Sequence, residues 1–333
     1  MNGGKIVRGI IVVLATLGIL SGVAGMHFYF FFNRPNPSTK IVDIQKGWGV
    51  YRVADALEQA EVVSSSLWTV VLAKLSGPII VKAGEYRFEQ GKLPGAILNQ
   101  LHTGQGILPS RFVIPEGLTA REIVSLMVKR GWKNADHLVH SVRFLQEMRL
   151  DSAVVEGWLY PDTYFYRSKD TASSMLRRMI VRGKKVLAEE WDKRPKEFNL
   201  TAYQALVLAS IVEKETGQAS ERPLIAGVFH NRLRRDMMLQ SDPTVIYGIA
   251  DFDGNITKKH LNTPTPYNTY MRRGLPPTPI CSPGRAAIAA VFHPEETKAM
   301  YFVANGNGTH IFSNTLEEHE KYVDIYQRHR RRQ

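Results

Sequence analysis

The stretch "GIIVVLATLGILSGVAGMHFYFFF", Gly9 to Phe32, is 24 residues long and contains no Asp, Glu, Lys or Arg. An uncharged run of that length spans the hydrocarbon core of a bilayer as a helix with some tilt. It divides the chain before any other feature does, because whatever follows must fold as a body of its own behind an anchor. A cleaved signal would have a shorter apolar core and a small-x-small exit. Here the run ends in bulky aromatics, which suit the membrane–water boundary. Lys5 and Arg8 precede it, so residues 1–8 are expected in the cytoplasm and everything beyond residue 32 outside, although Arg34 and Lys40 weaken that charge bias.

Behind the anchor, "NRPNPSTK" (33–40) reads as a Pro-rich linker. Residues 41–106 read as two small strand–helix pieces, with a helix over Tyr51–Gln59 and another in "LPGAILNQLHTG". The pattern resembles a LysM-like module, a small fold associated with N-acetylglucosamine polymers; a plain α+β packing unit fits it as well. Residues 107–327 read as a larger mixed α+β domain. Thr119 with Glu122 makes a capping box, and helices are expected near Ala172–Trp191 and Thr201–Thr216. "MMLQSDPTVIYG" reads as mostly irregular. Pro264–Gly284 is a long polar and aromatic loop, and "YFVANGNGTHIFS" a hairpin. Trp158, Tyr160, Tyr164, Phe165 and Tyr166 surround a Pro-Asp turn, either to stack on sugar rings or to form a corner of the core.

Charge and cysteine usage narrow the function classes. The net charge is +12; residues 1–40 hold +4, the basic tail at 328–333 another +4, and residues 41–327 the remaining +4. Basicity at the ends, beside a membrane segment, fits anionic lipid or an acidic polymer better than a nucleic-acid groove, and no nucleic-acid-binding motif is present. Cys281 is the single cysteine, so the fold stands without an internal disulfide. The ten histidines form no HExxH, and His137 and His140 lack a third ligand, so neither metal nor cofactor is expected.

The chemistry concentrates in "TAYQALVLASIVEKETG", Thr201–Gly217. Thr201 and Gln204 form a capping box, and the apolar residues cover nearly the whole circumference, which marks a buried helix. Its last turn holds Glu213 and Glu215, about 200° apart on the wheel. Low dielectric and the negative helix end both raise a carboxyl pKa, which suits a general acid. Ion pairing with Lys214, Arg222 or Arg232 explains the two acids equally. Glu213 stacks over Ala209 and Ser210, small residues that leave space, whereas Glu215 stacks over Ile211 and Val212; Glu213 is therefore expected at a cavity. One buried acid followed by amide, hydroxyl and aromatic loops suggests a carbohydrate substrate.

"ASIVEKET", "LQSDPTVIYG", "PYNTY", "GLPP", "SPG" and "EGWLYPDTY" closely resemble the YceG-like family, with the specific motifs within 154–315. Members of that family are endolytic murein transglycosylases, single-pass proteins of the bacterial inner membrane with a periplasmic catalytic domain. The resemblance implies that the first acid of "IVEKE", Glu213, is catalytic. It implies non-hydrolytic cleavage of the MurNAc-β-1,4-GlcNAc bond of peptidoglycan, with one residue acting as acid and then as base. Gln240, Asp242, Tyr247, Asn268 and Tyr270 are the candidates for holding the glycan. The partners implied are peptidoglycan strands, the membrane and cell-wall synthases. A hydrolytic muramidase with Asp242 as second carboxylate, and a wall-binding scaffold without catalysis, are the rival readings. Thr278 stands where family loops commonly have Gly.

Overall fold

The computed structural model describes residues 3–150, 154–167 and 169–328, so residues 329–333 of the basic tail lie outside the described residues. The architecture is α+β. The chain forms two compact units, Met1–Ser110 and Arg111–Gln333.

In the first unit, α1 (Gly3–Asn33) is the one described helix long and apolar enough to cross a membrane. It is followed by β1 (Lys40–Ile44), α2 (Val50–Gln59), α3 (Ser66–Leu75), β2 (Gly84–Phe88) and α4 (Pro94–Thr103). The two strands pair antiparallel, Val42 opposite Tyr86. Alternation turns Val42, Ile44, Tyr86 and Phe88 inward, where they meet Val53, Leu57, Ile97 and Leu101. Helix α3 was not foreseen in the sequence, and it makes this unit strand–helix–helix–strand–helix. Phe31, 3% exposed, belongs to the same core, so the end of α1 packs into the unit. The segment after it is fastened: buried Asn36 donates from Nδ2 to the carbonyls of Phe88 (3.3 Å) and Glu89 (3.2 Å), and its backbone N–H donates to the Lys92 carbonyl (2.8 Å).

The second unit has short paired strands and a helical core. Strand β3 (Ser110–Val113) leads to α5 (Ala120–Lys129), α6 (Ala135–Val139) and α7 (Val142–Met148). Next come β4 (Thr163–Tyr166), which lies beside β3, and α8 (Ala172–Trp191). Helix α9 (Ala202–Glu215) follows, opened by the Thr201–Gln204 capping box. Residues Ala205 to Val212 of α9 are all buried. They are enclosed by α8, by α10 (Arg222–Arg234), by α11 (Asp242–Tyr247) and by α13 (Arg285–Phe292), with the small α12 (Lys258–Leu261) between the last two. The hairpin of β5 (Tyr301–Ala304) and β6 (His310–Ser313) precedes α14 (Leu316–Val323). The expected irregular stretch at 237–248 is instead partly helical, because Pro243 sits in the first turn of α11, where its fixed φ and missing N–H cost nothing. Trp158, Tyr160 and Tyr164 are buried and form the core corner; Phe165 is exposed.

Candidate active site

The last turn of α9 presents its two glutamates to different surroundings. The small residues Ala209 and Ser210 do leave space, but the chain itself fills it. The Ile280 N–H donates to Ser210 Oγ at 2.9 Å, and Cys281 Sγ lies 3.3 Å from the Ser210 carbonyl. The same strand of loop then reaches Glu213, whose Oε2 accepts from the Gly284 N–H at 2.9 Å. Arg222 donates from Nη2 to Glu213 Oε1 at 2.8 Å and lies 3.6 Å from Glu116. The Glu213 side chain is 5% exposed. Burial pushes its carboxyl up, while the Gly284 N–H and Arg222 pull it down and Glu116 adds repulsion. In this structure Glu213 ties Arg222 to the loop that ends at Gly284.

Glu215 lines a cavity. A cavity of about 460 Å³ is lined by Glu215, Arg232, Gln240, Asp242, Tyr270 and Tyr301, with residues of the β5–β6 hairpin and α14 completing the wall. That volume lies in the range of small-ligand sites. Burial raises the Glu215 carboxyl to about 7; a hydrogen bond from Ser241 Oγ opposes the rise, the Asp242 charge adds to it, and Arg232 opposes it.

The loop chemistry around Ser241 explains how that bond is aimed. Gln240 takes a left-handed backbone, φ +48°, and its N–H donates to the Thr269 carbonyl at 3.1 Å. The turn places the Ser241 N–H 3.0 Å from Thr269 Oγ1. Thr244 Oγ1 donates to the Ser241 carbonyl at 2.7 Å and sits 2.8 Å from Thr269 Oγ1. Ser241, Thr244 and Thr269 are all buried. This network of hydroxyls joins "LQSDPTVIYG" to "PYNTY" and fixes the serine against the carboxyl.

Three of the five residues expected to hold a ligand line the cavity. Gln240 and Asp242 are exposed at its edge, and the Tyr270 hydroxyl donates to Asp242 Oδ1 at 2.7 Å. The other two have other work. Asn268 is fully buried; its Nδ2 donates to the carbonyls of His260, Leu261 and Thr263 at 3.3, 2.9 and 2.7 Å, and its Oδ1 accepts from the Tyr270 N–H at 2.9 Å. It organises the loop and does not reach the cavity. Tyr247 donates to Glu156 Oε2 at 3.0 Å and packs edge-on against Tyr267. Tyr267 in turn bonds Thr278 Oγ1 at 2.9 Å, so the unusual threonine ties the loop to itself.

Tyr301 and His319 were not anticipated, and Arg232 was expected only as one candidate ion-pair partner of the two acids. Arg232 is buried, donating from Nε to the Met300 carbonyl at 2.6 Å and from Nη1 to the Leu239 carbonyl at 2.7 Å, with its guanidinium 5.1 Å from the Tyr301 ring centre. The His319 ring stacks on the Tyr301 ring, with centroids 5.3 Å apart. The sequence offers Arg232 as a partner for the acids, but "NRLRR" does not show that its guanidinium turns inward onto backbone carbonyls.

The chain is 27% identical over 310 residues to the endolytic murein transglycosylase of Bacillus subtilis, an alignment covering 88% of this chain and 86% of that protein. It is 29% identical over 316 residues to the endolytic murein transglycosylase of Streptococcus pneumoniae, covering 85% of this chain but only 57% of that longer protein. The crystal structure of a YceG-like protein from Listeria monocytogenes superimposes with a TM-score of 0.59 at 30% identity, covering 86% of this chain and 99% of that one. The profile of the YceG-like family matches residues 42–325, spanning nearly all of the chain beyond α1, and the chain belongs to that family.

Proposed function

We propose that this chain is a membrane-anchored endolytic murein transglycosylase and that Glu215 is its acid and base. The observation that carries the assignment is the position of Glu215 on the wall of the cavity it shares with Gln240, Asp242 and Tyr270, with its carboxyl raised to about 7. A carboxyl that is part-protonated near neutral pH can both give and take a proton there. The protonated Glu215 donates to the oxygen leaving from C1 of the muramic residue, and the C1–O bond breaks as positive charge develops at C1. The substrate's own N-acetyl oxygen supports that centre. The Glu215 carboxylate then removes the proton of the muramic C6 hydroxyl, and O6 bonds to C1. The product is a 1,6-anhydro end and a free GlcNAc hydroxyl; no water is consumed. Tyr270 and Tyr301 supply ring faces, and Gln240 and Asp242 supply polar groups at the rim. Asp242 is held by Tyr270 and acts on Glu215 through its charge, which favours the non-hydrolytic reading over a muramidase with Asp242 as second carboxylate.

The motif resemblance points instead to Glu213, and paired substitutions separate the two acids. Glu215→Gln is expected to remove nearly all cleavage while the fold is kept. Glu213→Gln is expected to lose the Arg222 ion pair, so it lowers the melting temperature and reduces cleavage less. Glycan digestion followed by chromatography of the fragments, together with thermal unfolding, reads both. Full activity in a folded Glu215→Gln protein, or a dead but fully stable Glu213→Gln protein, returns the role to Glu213.

The anchor reading is part of the same proposal: α1 crosses the inner membrane, the amino end is cytoplasmic, and both units face the periplasm. Murein synthases at that surface are the proposed protein partners. Nascent strands would be met along their length there, which favours internal cuts.

A further inference from the structure

Helix α3 carries an apolar face that its own unit does not cover. Thr69, Val70, Leu72 and Ala73 point into the core. At 100° per residue, Leu67, Val71 and Leu75 drift by only about 80° around the helix, and Trp68 falls next to them. Leu67 is 67% exposed and Leu75 72% exposed, with Val71 partly exposed between them. A three-residue apolar stripe on a small outward helix is not what a water-facing surface selects.

The position of this stripe relative to the anchor identifies what covers it. The Trp68 ring lies 5.3 Å from the ring of Phe28, inside the uncharged run and only a turn before its end. Phe31 is sealed into the unit's core, and Asn36 pins the following segment to the end of β2. The unit therefore cannot swing away on a loose tether, and the start of α3 is held at the depth of the aromatic end of α1. At the margin of the apolar stripe Lys74 donates to the Tyr51 hydroxyl at 2.8 Å, its ammonium 5.2 Å from that ring's centre. A lysine and a tyrosine side by side at such a margin are the residues that sit well at a headgroup boundary.

We propose that α3 lies in the headgroup region of the leaflet from which the C-terminal end of α1 emerges, with Leu67, Val71 and Leu75 against lipid. The occupant is phospholipid because the stripe is continuous, through Trp68 and Phe28, with the lipid-facing surface of the anchor. The contact is that of an interfacial amphipathic helix added to a spanning one. This inference rests on α1 crossing a membrane; it is independent of which acid is catalytic. It makes the anchored unit a rigid foot on the membrane instead of a bead on a string.

The test uses the full chain with Cys281→Ala, reconstituted in phosphatidylcholine–phosphatidylglycerol vesicles and spin-labelled at one added cysteine. Leu75→Cys reports the stripe, Leu17→Cys the middle of the anchor, and Glu58→Cys the exposed side of α2. Collision with dissolved oxygen and with a water-soluble nickel chelate gives the depth of each label. The expected result is an oxygen-to-nickel ratio several-fold higher at positions 17 and 75 than at 58. A label at 75 that behaves like the one at 58, while 17 remains oxygen-favoured, overturns the inference and leaves the anchor standing. A water-exposed label at 17 removes the anchor and the inference with it. Shielding of position 75 only after glycan strands are added overturns the lipid assignment in favour of a polysaccharide face.

Discussion

Ser241 governs the acid at the cavity by one hydrogen bond. Its hydroxyl stabilises the charged form of Glu215 and so holds the carboxyl below the value that burial and Asp242 alone would set. Ser241→Ala should raise the acid's pKa, moving the alkaline limb of the pH–rate profile to higher pH, since a general acid fails as it loses its proton. The measurement is the pH dependence of kcat/KM on glycan strands, with Ser241→Thr as the conservative control that restores the hydroxyl. An unmoved limb would mean that the serine only packs. Two buried acids also tie stability to pH. Glu156 is raised to about 7 by burial, against bonds from the Ala120 N–H and Tyr247, and Glu215 is raised to about 7. Each folded-state value lies above the ordinary 4.5, so the folded protein holds protons that the unfolded chain releases. The stabilisation is complete below pH 4.5 and is lost as pH rises through 7, on the order of 3 kcal/mol per group. Urea unfolding of the chain should show lower stability at pH 8 than at pH 5, and Glu156→Gln should flatten that slope. At this scale the sequence carried the pair of acids and their discomfort. It did not show that Ile280 and Gly284, about 70 residues further along, bond Ser210 and Glu213.

Among the elements, the loop of residues 264–284 depends on Asn268 more than on any glycan contact. Its buried amide bonds three part-buried carbonyls of the α12 region and one N–H of its own loop. Asn268→Ala leaves those groups unpaired, and the expected cost is about 3 kcal/mol, since each unsatisfied buried polar group is worth roughly 1–3 kcal/mol. Thermal denaturation checks the stability; kcat should fall as well, because Tyr270 and Thr269 lose their support. An Asn268→Ala protein with wild-type stability and reduced glycan affinity would restore the residue to the binding set. The capping boxes at Thr119 and Thr201 were legible because the signal is local: an oxygen and a carboxamide or carboxylate three residues apart. Helix α11 was not, since its start is set by the left-handed Gln240 and by bonds from Thr269 in a distant loop. Helix α3 was missed for a different reason: "SLWTVVLAKL" is apolar on the core side and on the outer side, so no polar stripe marked it as a helix.

For the molecule as a whole, the α+β class and a long apolar helix near the amino end were readable from hydropathy and turn residues. The inward turn of Arg232 and the cavity wall formed by β5, β6 and α14 were not, since they arise from packing between segments far apart in sequence. The central claim is that this arrangement cuts glycan strands internally without adding water. The most direct measurement is mass spectrometry of purified peptidoglycan strands after incubation with the full chain in detergent, set beside the Glu215→Gln protein. The account predicts internal fragments whose new muramic ends are 1,6-anhydro, lighter by one water than reducing ends, and their absence with Glu215→Gln. Reducing muramic ends in the wild-type digest, or anhydro ends produced undiminished by Glu215→Gln, would contradict it.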